Sequence, residues 1–574
     1  MAIDWSSKEE REKFWHSSSH LMAAAIIRLF PEAKTTIGPP IDEGFYYDFD
    51  IEKPFTPEDL AKIEEEMKKL SKKNDKFERK EISRADALKL FKDNPYKTEL
   101  IKDLPETEKI SIYKTGDFAD LCRGPHIDYT ARIKAFKLLK VSGAYWHADE
   151  KNKMLQRIYG ISFPTKEQLD EYVNRVEEAK KRNHLKLGKE LDLFSMQEES
   201  PGVPFFHPKG MAIWNSLMAY WRSEHFRRGY VEVNTPLILK KTLWVQSGHW
   251  NHYKENMYFT KIDDEDYAVK PMNCPGHILI YKNTRHSYRE LPIRMAEAGT
   301  VHRHELSGVL NGLFRVRKFT QDDAHIFCTE EQIKDEVKGV IGLIDFTYKK
   351  FGFDYHVELS TKPAKAMGSG EIWDKATNSL KGALDSMDLK YKINEGDGAF
   401  YGPKIDFHIK DSLGRTWQCA TVQLDFLMPE NFDLTYIGAD DKPHRPVMLH
   451  RVVFGSIERF IGILIEHYGG KFPLWVSPSQ VMLFPISDAF SDYASSIHKK
   501  LRDEGIRAEL DLRNETVSAK VRDAEMQKFN YVIAVGQREL DSKTVAIRQK
   551  DGKQKAVAVD EFIRLLKKEI EEFR

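Results

Sequence analysis

His16 and His20 stand four residues apart in a segment with helical spacing, so both imidazoles leave one face a turn apart and can act on one object. Downstream, Asp120-Leu121-Cys122-Arg123-Gly124-Pro125-His126 places a thiol and an imidazole at a Gly-Pro turn, where side chains can converge. Three chemistries fit such a set: a metal site, a metal-free hydrolytic pocket, or ordinary buried and surface residues. A Cys/His pair and a His pair within one short region weigh against simple packing.

A second group suits a nucleotide. Arg303 and Glu305, then Arg315, Arg317 and Phe319, fall on a predicted hairpin that puts guanidinium groups beside an aromatic ring. Arginine forks match phosphate oxygens, Phe319 can stack on a base, and Glu305 can accept from an exocyclic amine. The run Gly455-Ser456-Ile457-Glu458-Arg459 brings another arginine to the entrance of a predicted helix. Gln321, Asp323 and His325 alternate along a predicted strand and so share a face.

The elements that must hold these groups are legible in outline. Apolar residues at helical spacing between Ser6 and Phe30, followed by Pro31, predict an opening helix. Strand-like runs such as FYYDFDI then alternate with charged helices such as PEDLAKIEEEMKKLSKK, an α+β pattern ending near Pro164. The charged stretch KEQLDEYVNRVEEAKKRNHLKLGKEL has no broad apolar face and reads as a helix bridging two domains. From there to about Pro473, YVEVNTPLIL, YAVKPM, RVRKFTQDDAHIF and RTWQCATVQLDF predict a mainly antiparallel sheet. Beyond Trp475, VMLFPI, AELDL, YVIAVG and TVAIR alternate with helical segments as in a small α/β domain. The expectation is therefore a multidomain α+β chain divided at 1–185, 186–475 and 476–574.

Bulk properties narrow the classes. Of 574 residues 41% are hydrophobic and 31% charged, and no apolar run approaches the roughly 20 residues that span a bilayer, so no membrane partner is expected. The charged start MAIDWSSKEEREKFW lacks the apolar core of a secretory signal, which predicts a cytoplasmic location. Four cysteines in unrelated contexts argue against a disulfide framework. With 89 basic and 89 acidic residues, a nucleic-acid partner would need a local basic surface.

On these residues the chain resembles the class II aminoacyl-tRNA synthetases, and within them the threonyl-tRNA synthetase family. HxxxH with CxxxH is similar to the editing domain shared by threonyl and alanyl enzymes, which cleaves the ester of mischarged tRNA. The resemblance implies that His16 and Lys97 (in NPYK) activate or position water, with His20, Asp120, Cys122 and His126 shaping the pocket. A metal-holding pocket is the alternative. Pro236 after YVEVNT, the Arg303 segment and the Arg459 segment resemble motifs 1, 2 and 3 in order. That likeness implies a homodimer through motif 1, ATP with Mg2+, Arg303 on the α-phosphate, and Arg459 on the other side of ATP. Members of the threonyl family commonly carry a further small domain ahead of the editing domain, and this sequence enters the editing helix within about its first ten residues.

Cys274 in KPMNCPGH, His325 and His450 in VMLHR are too far apart to be paired by spacing; the resemblance alone makes them ligands of one Zn2+ per subunit. Three protein ligands leave positions open, so threonine can offer amine and hydroxyl where valine has no oxygen to give. Serine lacks only a methyl, worth about 1 to 3 kcal/mol, so a second, hydrolytic sieve makes chemical sense in the same chain. The family pattern also implies threonine contacts at Gln321, Asp323, Gln423 and His249, catalytic help from Lys404, and ATP contacts at Glu305, Arg315, Phe319, Gln418, Thr421 and Ser456. The C-terminal segment resembles an anticodon-binding domain, with Asn514, Glu539 and Arg548 at positions that read bases of tRNA(Thr).

Competing readings are a prolyl or seryl synthetase, an RNA-binding regulator, and a stand-alone metallohydrolase. The zinc-ligand set and the editing pocket speak against the first. The third leaves about two-thirds of the chain without a purpose.

Overall fold

The computed structural model describes residues 4–548 and 554–573. They fall into two compact units, Met1–Glu177 and Glu178–Arg574.

In the first unit the opening helix runs Lys8–Leu29, started by Ser7, whose hydroxyl accepts from the Glu10 amide and satisfies a donor that a helix start leaves unpaired. It is buried from Phe14 almost throughout to Ile26, packed against the helix Pro57–Lys72 and the strand Gly44–Asp50. Ser17 and Ser18 tolerate that burial because their hydroxyls donate to the carbonyls of Lys13 (2.8 Å) and Phe14 (3.0 Å). The main sheet pairs Lys34–Thr35, Gly44–Asp50, Met154–Phe163 and Ala135–Tyr145 in that order, with Pro40–Ile41 against Gly44–Asp50. A three-stranded sheet, Glu78–Ile82, Ile110–Thr115 and Phe118–Leu121, runs into the Cys122–His126 turn. Gly124 lies there at φ +75°, and a Cβ would fall 2.3 Å from the Tyr113 hydroxyl oxygen, so only glycine fits.

The charged stretch read as one bridging helix is two, Lys166–Lys181 and His184–Glu190. Asn183 separates them: its side chain accepts from the amides of Leu185 and Lys186 and starts a new helix, the local competition that disfavours Asn within a helix. The first has no buried residue, as its charge pattern implies. The second buries His184 and Leu187 in the second unit.

The second unit is built on an eight-stranded sheet ordered Val231–Glu232, Ile293–His302, Lys318–Cys328, Val447–Ser456, Thr416–Asp425, Lys404–Lys410, Asp354–Ser360 and Tyr391–Asn394. Its inner pairings are antiparallel and its two outermost are parallel. YVEVNTPLIL is not one strand but two, Val231–Glu232 and Ile238–Lys240, in different sheets; Pro236 between them has no N–H to give a ladder. Along Lys404–Lys410, Ile405, Phe407 and Ile409 are fully buried in the core that the helices Ile333–Lys350 and Ile457–Tyr468 complete. Period-two alternation turns Lys404, Asp406 and His408 to the opposite, polar face, which is where the site forms.

The C-terminal sheet has five strands, ordered Ala508–Leu510, Val481–Pro485, Tyr531–Val535, Thr544–Arg548 and Gln554–Ala558. The sequence predicts the first four. Among the described residues no helix is long and apolar enough to cross a membrane.

Candidate functional site

The first unit brings together all six residues predicted there. His16 Nε2 and His126 Nε2 lie 3.4 and 3.3 Å from Cys122 Sγ, and the Gly124 amide donates to the same sulfur at 3.2 Å. Burial pushes the Cys122 thiol up to about 12, so it is a protonated wall and not a thiolate nucleophile. Behind it Lys97 Nζ lies 2.5 Å from Asp120 Oδ1, and the Tyr47 hydroxyl donates to Asp120 Oδ2 at 2.5 Å. Lys97 and Asp120 are each 1% exposed, whereas His16 and Cys122 are only half-buried at the mouth. Burial lowers the proton affinity of His16, His20 and His126, and the repulsion that a proton on one ring would meet from a second protonated imidazole, or from Lys97 beside His20, lowers that of His20 and His126 further. The site therefore holds neutral imidazoles near pH 7. The donor atoms of His16, His20, Cys122 and His126 lie within 4.8 Å of one another.

In the second unit the residues far apart in sequence meet because two strands pair. His325 stands directly opposite His450 in the register of Lys318–Cys328 with Val447–Ser456, and Cys274 opens the helix Cys274–Lys282 beside them. The three donor atoms lie within 4.8 Å of one another and all three residues are buried. Hydrogen bonding fixes how each imidazole presents itself. His277 Nε2 lies 3.1 Å from Glu297 Oε2, so it donates there and its Nδ1 accepts from His325 Nδ1 at 2.9 Å, which leaves His325 Nε2 as a free lone pair. His450 Nε2 donates to Asp425 Oδ2 at 2.9 Å and keeps its Nδ1 lone pair free. Burial works against the Glu297 carboxylate, yet donors from His277, the Thr235 amide and Lys270 hold it down to about 2. A Cys/His/His donor set with one imidazole oriented by a carboxylate and the other by a second imidazole that a carboxylate fixes in turn fits a borderline divalent ion such as Zn2+. Burial lifts the Cys274 thiol well above its ordinary value, so without a cation it stays protonated.

Two cavities open on the polar face of this sheet. One, of about 460 Å³, is walled by Cys274, His325 and His450 together with Asp323, Gln423 and Lys404. Its neighbour, of about 310 Å³, is walled by Glu305, Arg315, Phe319, Gln418, Ser456 and Arg459. Arg303, Gln321 and Thr421 line both, so the two adjoin. Arg303 is held by donation from Nε to the Pro271 carbonyl (3.2 Å) and lies over the Phe319 ring at 5.0 Å. Arg459 donates from Nε to the Phe314 carbonyl (2.9 Å), while the Ser456 hydroxyl accepts the Arg459 amide and caps the helix. Gly455 precedes it at φ +81°, where a Cβ would stand 2.7 Å from the Cys419 carbonyl oxygen. A larger cleft of about 730 Å³ lies between Tyr468–Leu474 and the C-terminal sheet; it lacks this convergence of arginines and metal-type donors.

Some predicted residues sit elsewhere. His249 is fully buried, with Nδ1 2.8 Å from the Ser247 hydroxyl and Nε2 3.9 Å from Cys274 Sγ, so it backs the Cys274 corner and not the cavity wall. Asn514 is exposed on a loop of the C-terminal region. Glu539 accepts the Gly536 amide at 2.9 Å as a helix cap. Arg548 ends the strand Thr544–Arg548, and its side chain lies outside the described residues.

Several site residues escape the sequence reading. Asp406, 1% exposed, gathers Lys404 (2.7 Å), Gln418 (2.6 Å), Thr421 (3.0 Å) and Ser360 (2.8 Å). Its alternation with Lys404 was the available signal. Asp425, two residues beyond Gln423, carried the same one. Asn273, whose Nδ2 donates to Asp323 Oδ2 at 3.1 Å, acts with His277, Glu297 and Tyr47 by filling the layer behind others, and none of the four carries a spacing signal.

A mainly antiparallel sheet whose polar face carries adjoining cavities lined by arginines from two separate elements is the arrangement of a class II tRNA synthetase core. Residues 258–468 match the tRNA synthetase class II core domain (G, H, P, S and T), residues 480–569 the anticodon binding domain, and residues 110–159 the threonyl and alanyl tRNA synthetase second additional domain. The threonine–tRNA ligase of Carboxydothermus hydrogenoformans is 62% identical over 99% of this chain and 90% of its own length, and that of Caldanaerobacter subterraneus subsp. tengcongensis is 59% identical over 99% and 89%. The crystal structure of the RNA binding domain of threonyl-tRNA synthetase from Cryptosporidium parvum Iowa II superposes with a TM-score of 0.66 at 42% identity, over 67% of this chain and 98% of that one. The chain belongs to the threonine–tRNA ligase family, class II synthetases that charge tRNA using ATP with Mg2+.

Proposed function

We propose that this enzyme forms threonyl-adenylate from threonine and ATP in the two adjoining cavities, transfers the threonyl group to tRNA(Thr), and hydrolyses seryl-tRNA(Thr) in its first unit. The observation that carries the synthetic half is Arg303, which lines both cavities and so stands where an amino-acid carboxylate from one meets the α-phosphate from the other. As attack proceeds, charge builds on the phosphate oxygens, and a guanidinium already oriented there stabilises it without reorganisation. Arg459, Arg315, Phe319 and Glu305 hold the nucleotide, with Gln418, Thr421 and Ser456 completing that wall. Asp323 accepts from the substrate amine, and Gln321, Gln423 and Lys404 position the rest. Cys274, His325 and His450 would hold Zn2+, which supplies Lewis-acid recognition of an amine and a hydroxyl.

For the hydrolytic half, half-exposed His16 is the group placed to hold a water, while Lys97 acts from behind by fixing Asp120 and Tyr47. A second reading, a metal held by His16, His20, Cys122 and His126, is favoured by the clustering of their donor atoms. A homodimer through motif 1 is supported by apolar side chains left exposed there: Phe226 (83%), Val231 (54%) and Ile238 (44%). Residues 1–185, 186–475 and 476–574 would be the editing, catalytic and anticodon-binding domains, the last reading the anticodon through Asn514, Glu539 and Arg548.

Pyrophosphate exchange with threonine, serine and valine, before and after zinc removal, tests the synthetic reading. Exchange with threonine, weaker with serine, absent with valine and lost without zinc is expected. No threonine-dependent exchange by folded, zinc-loaded protein would overturn it. Seryl-tRNA hydrolysed at the normal rate by His16→Ala would remove the editing assignment.

A further inference from the structure

The polar face of the eight-stranded sheet carries a second set of metal-type donors, apart from the residues assigned above. His356 and Glu358 alternate on Asp354–Ser360 and leave the same face, and His408 stands directly across from His356 on Lys404–Lys410. The two imidazoles stack, centroids 4.8 Å apart and planes 10° apart. The Glu358 carboxylate faces both: Oε1 is 3.5 Å from His356 Nε2, and Oε2 is 3.6 Å from His408 Nε2. All three donor atoms lie within 4.8 Å of one another.

A hydrogen-bonded surface cluster is the plainer reading of such residues, and the distances weigh against it. At 3.5 and 3.6 Å the carboxylate is too far for good N–H···O bonds to either ring, so three donors face one another without satisfying one another. The Glu358 carboxylate is held instead from behind, by Asn394 Nδ2 donating to Oε2 at 3.2 Å, the kind of outer partner that orients a ligand. Burial lowers the proton affinity of His408, which favours the neutral imidazole a metal requires. Neither cavity of the catalytic site is lined by any of the three.

The geometry points to a second metal site: His356, Glu358 and His408 bind a divalent first-row transition ion on the outer polar face of the catalytic sheet, separate from the Cys274, His325 and His450 set. Two imidazoles and one carboxylate suit Zn2+, Ni2+ or Cu2+ and leave positions for water. Mg2+ and Ca2+ prefer all-oxygen ligands and are disfavoured. Metal–nitrogen distances of about 2.0 to 2.1 Å require the side chains to draw together, which partly exposed rings on paired strands can do by small rotamer changes. Glu358 lies opposite Asp406 in the register, so an ion bound here would sit one strand position from the carboxylate that holds Lys404.

The test uses full-length enzyme already carrying its zinc, equilibrated with buffered Ni2+ or additional Zn2+, with metal counted per chain. The double variant His356→Ala, His408→Ala is expected to hold one ion fewer than wild type while exchanging pyrophosphate at the wild-type rate and keeping the wild-type melting profile. The same difference of one ion is expected in a Cys122→Ala background, which separates this cluster from the first unit's. Glu358→Gln, which preserves shape and removes the anionic ligand, is expected to lose the ion as well. Equal metal content in wild type, the double variant and Glu358→Gln overturns the proposal.

Discussion

Asp120 and Lys97 meet as a buried ion pair, Oδ1 to Nζ 2.5 Å, with each residue 1% exposed. The second carboxylate oxygen is taken by the Tyr47 hydroxyl at 2.5 Å, and His20 Nε2 stands 3.6 Å from it. Both oxygens of the carboxylate are thus engaged, and removing one partner of the ion pair strands the other. Asp120→Ala leaves an ammonium in the core of the first unit, a loss of about 3 to 5 kcal/mol for a broken buried pair. The expected outcome is a lower melting transition for the first unit, loss of seryl-tRNA hydrolysis, and unchanged pyrophosphate exchange. An unshifted melt would show that Lys97 finds water and that the pair holds nothing in place.

The same pocket should make the first unit acid-sensitive. His16, His20 and His126 all bind protons less readily when folded, through burial first. The unfolded chain takes up protons near pH 6.5, where the folded pocket refuses them. Bound protons are then more numerous in the unfolded state, so stability rises with pH through that region and falls as pH drops below about 6.5. Calorimetry between pH 7 and pH 5 should show the first unit's midpoint falling, with a shallower dependence in His126→Gln. A midpoint that rises on acidification would contradict the neutral-imidazole assignment.

The line of contacts from Lys270 through Glu297 and His277 to His325 predicts an effect at a distance of two residues. His277→Phe keeps bulk but removes the acceptor for the His325 Nδ1 proton, and either tautomer then becomes available. Outer partners of this kind change metal affinity by about 10 to 100-fold. Competition with a chromogenic chelator should show zinc leaving His277→Phe that much more readily, and threonine-dependent exchange should recover as zinc is added back. Wild-type retention would mean that strand geometry alone fixes the imidazole.

What the sequence made legible follows from what has a period. The opening helix, the alternation of Gln321, Asp323 and His325, and the arginine at the helix entrance all carry local signals, and the structure places them accordingly. The pairing of His325 with His450 depends on two strands separated by more than a hundred residues, which no spacing rule reaches; it came only through family resemblance. Asn183 and Pro236 broke segments that read as continuous, because one side chain accepting two amides or one missing N–H outweighs a summed pattern. His277 and Glu297 stayed hidden because residues that orient a ligand are chosen by three-dimensional neighbours.

Arg303 is the position at which the nature of the cation can be separated from its charge. Its guanidinium lies over the Phe319 ring at 5.0 Å and over the Tyr253 ring at 5.7 Å, while Nε donates to the Pro271 carbonyl. A planar group sits over two rings while its edge donates to a carbonyl, and a lysine ammonium reproduces neither the stacking nor the fork. Arg303→Lys should therefore behave more like Arg303→Ala than like wild type. Loss of one oriented donor to developing charge lowers rate by about 10²- to 10³-fold, and that range is expected for pyrophosphate exchange in both variants. On the proposed role of Arg303 the loss falls mainly on kcat, because an interaction with the α-phosphate would strengthen as charge develops there. A threonine KM raised with kcat unchanged would instead make Arg303 a ground-state binding residue, and near-wild-type exchange by Arg303→Lys would show that charge alone suffices at the junction of the two cavities.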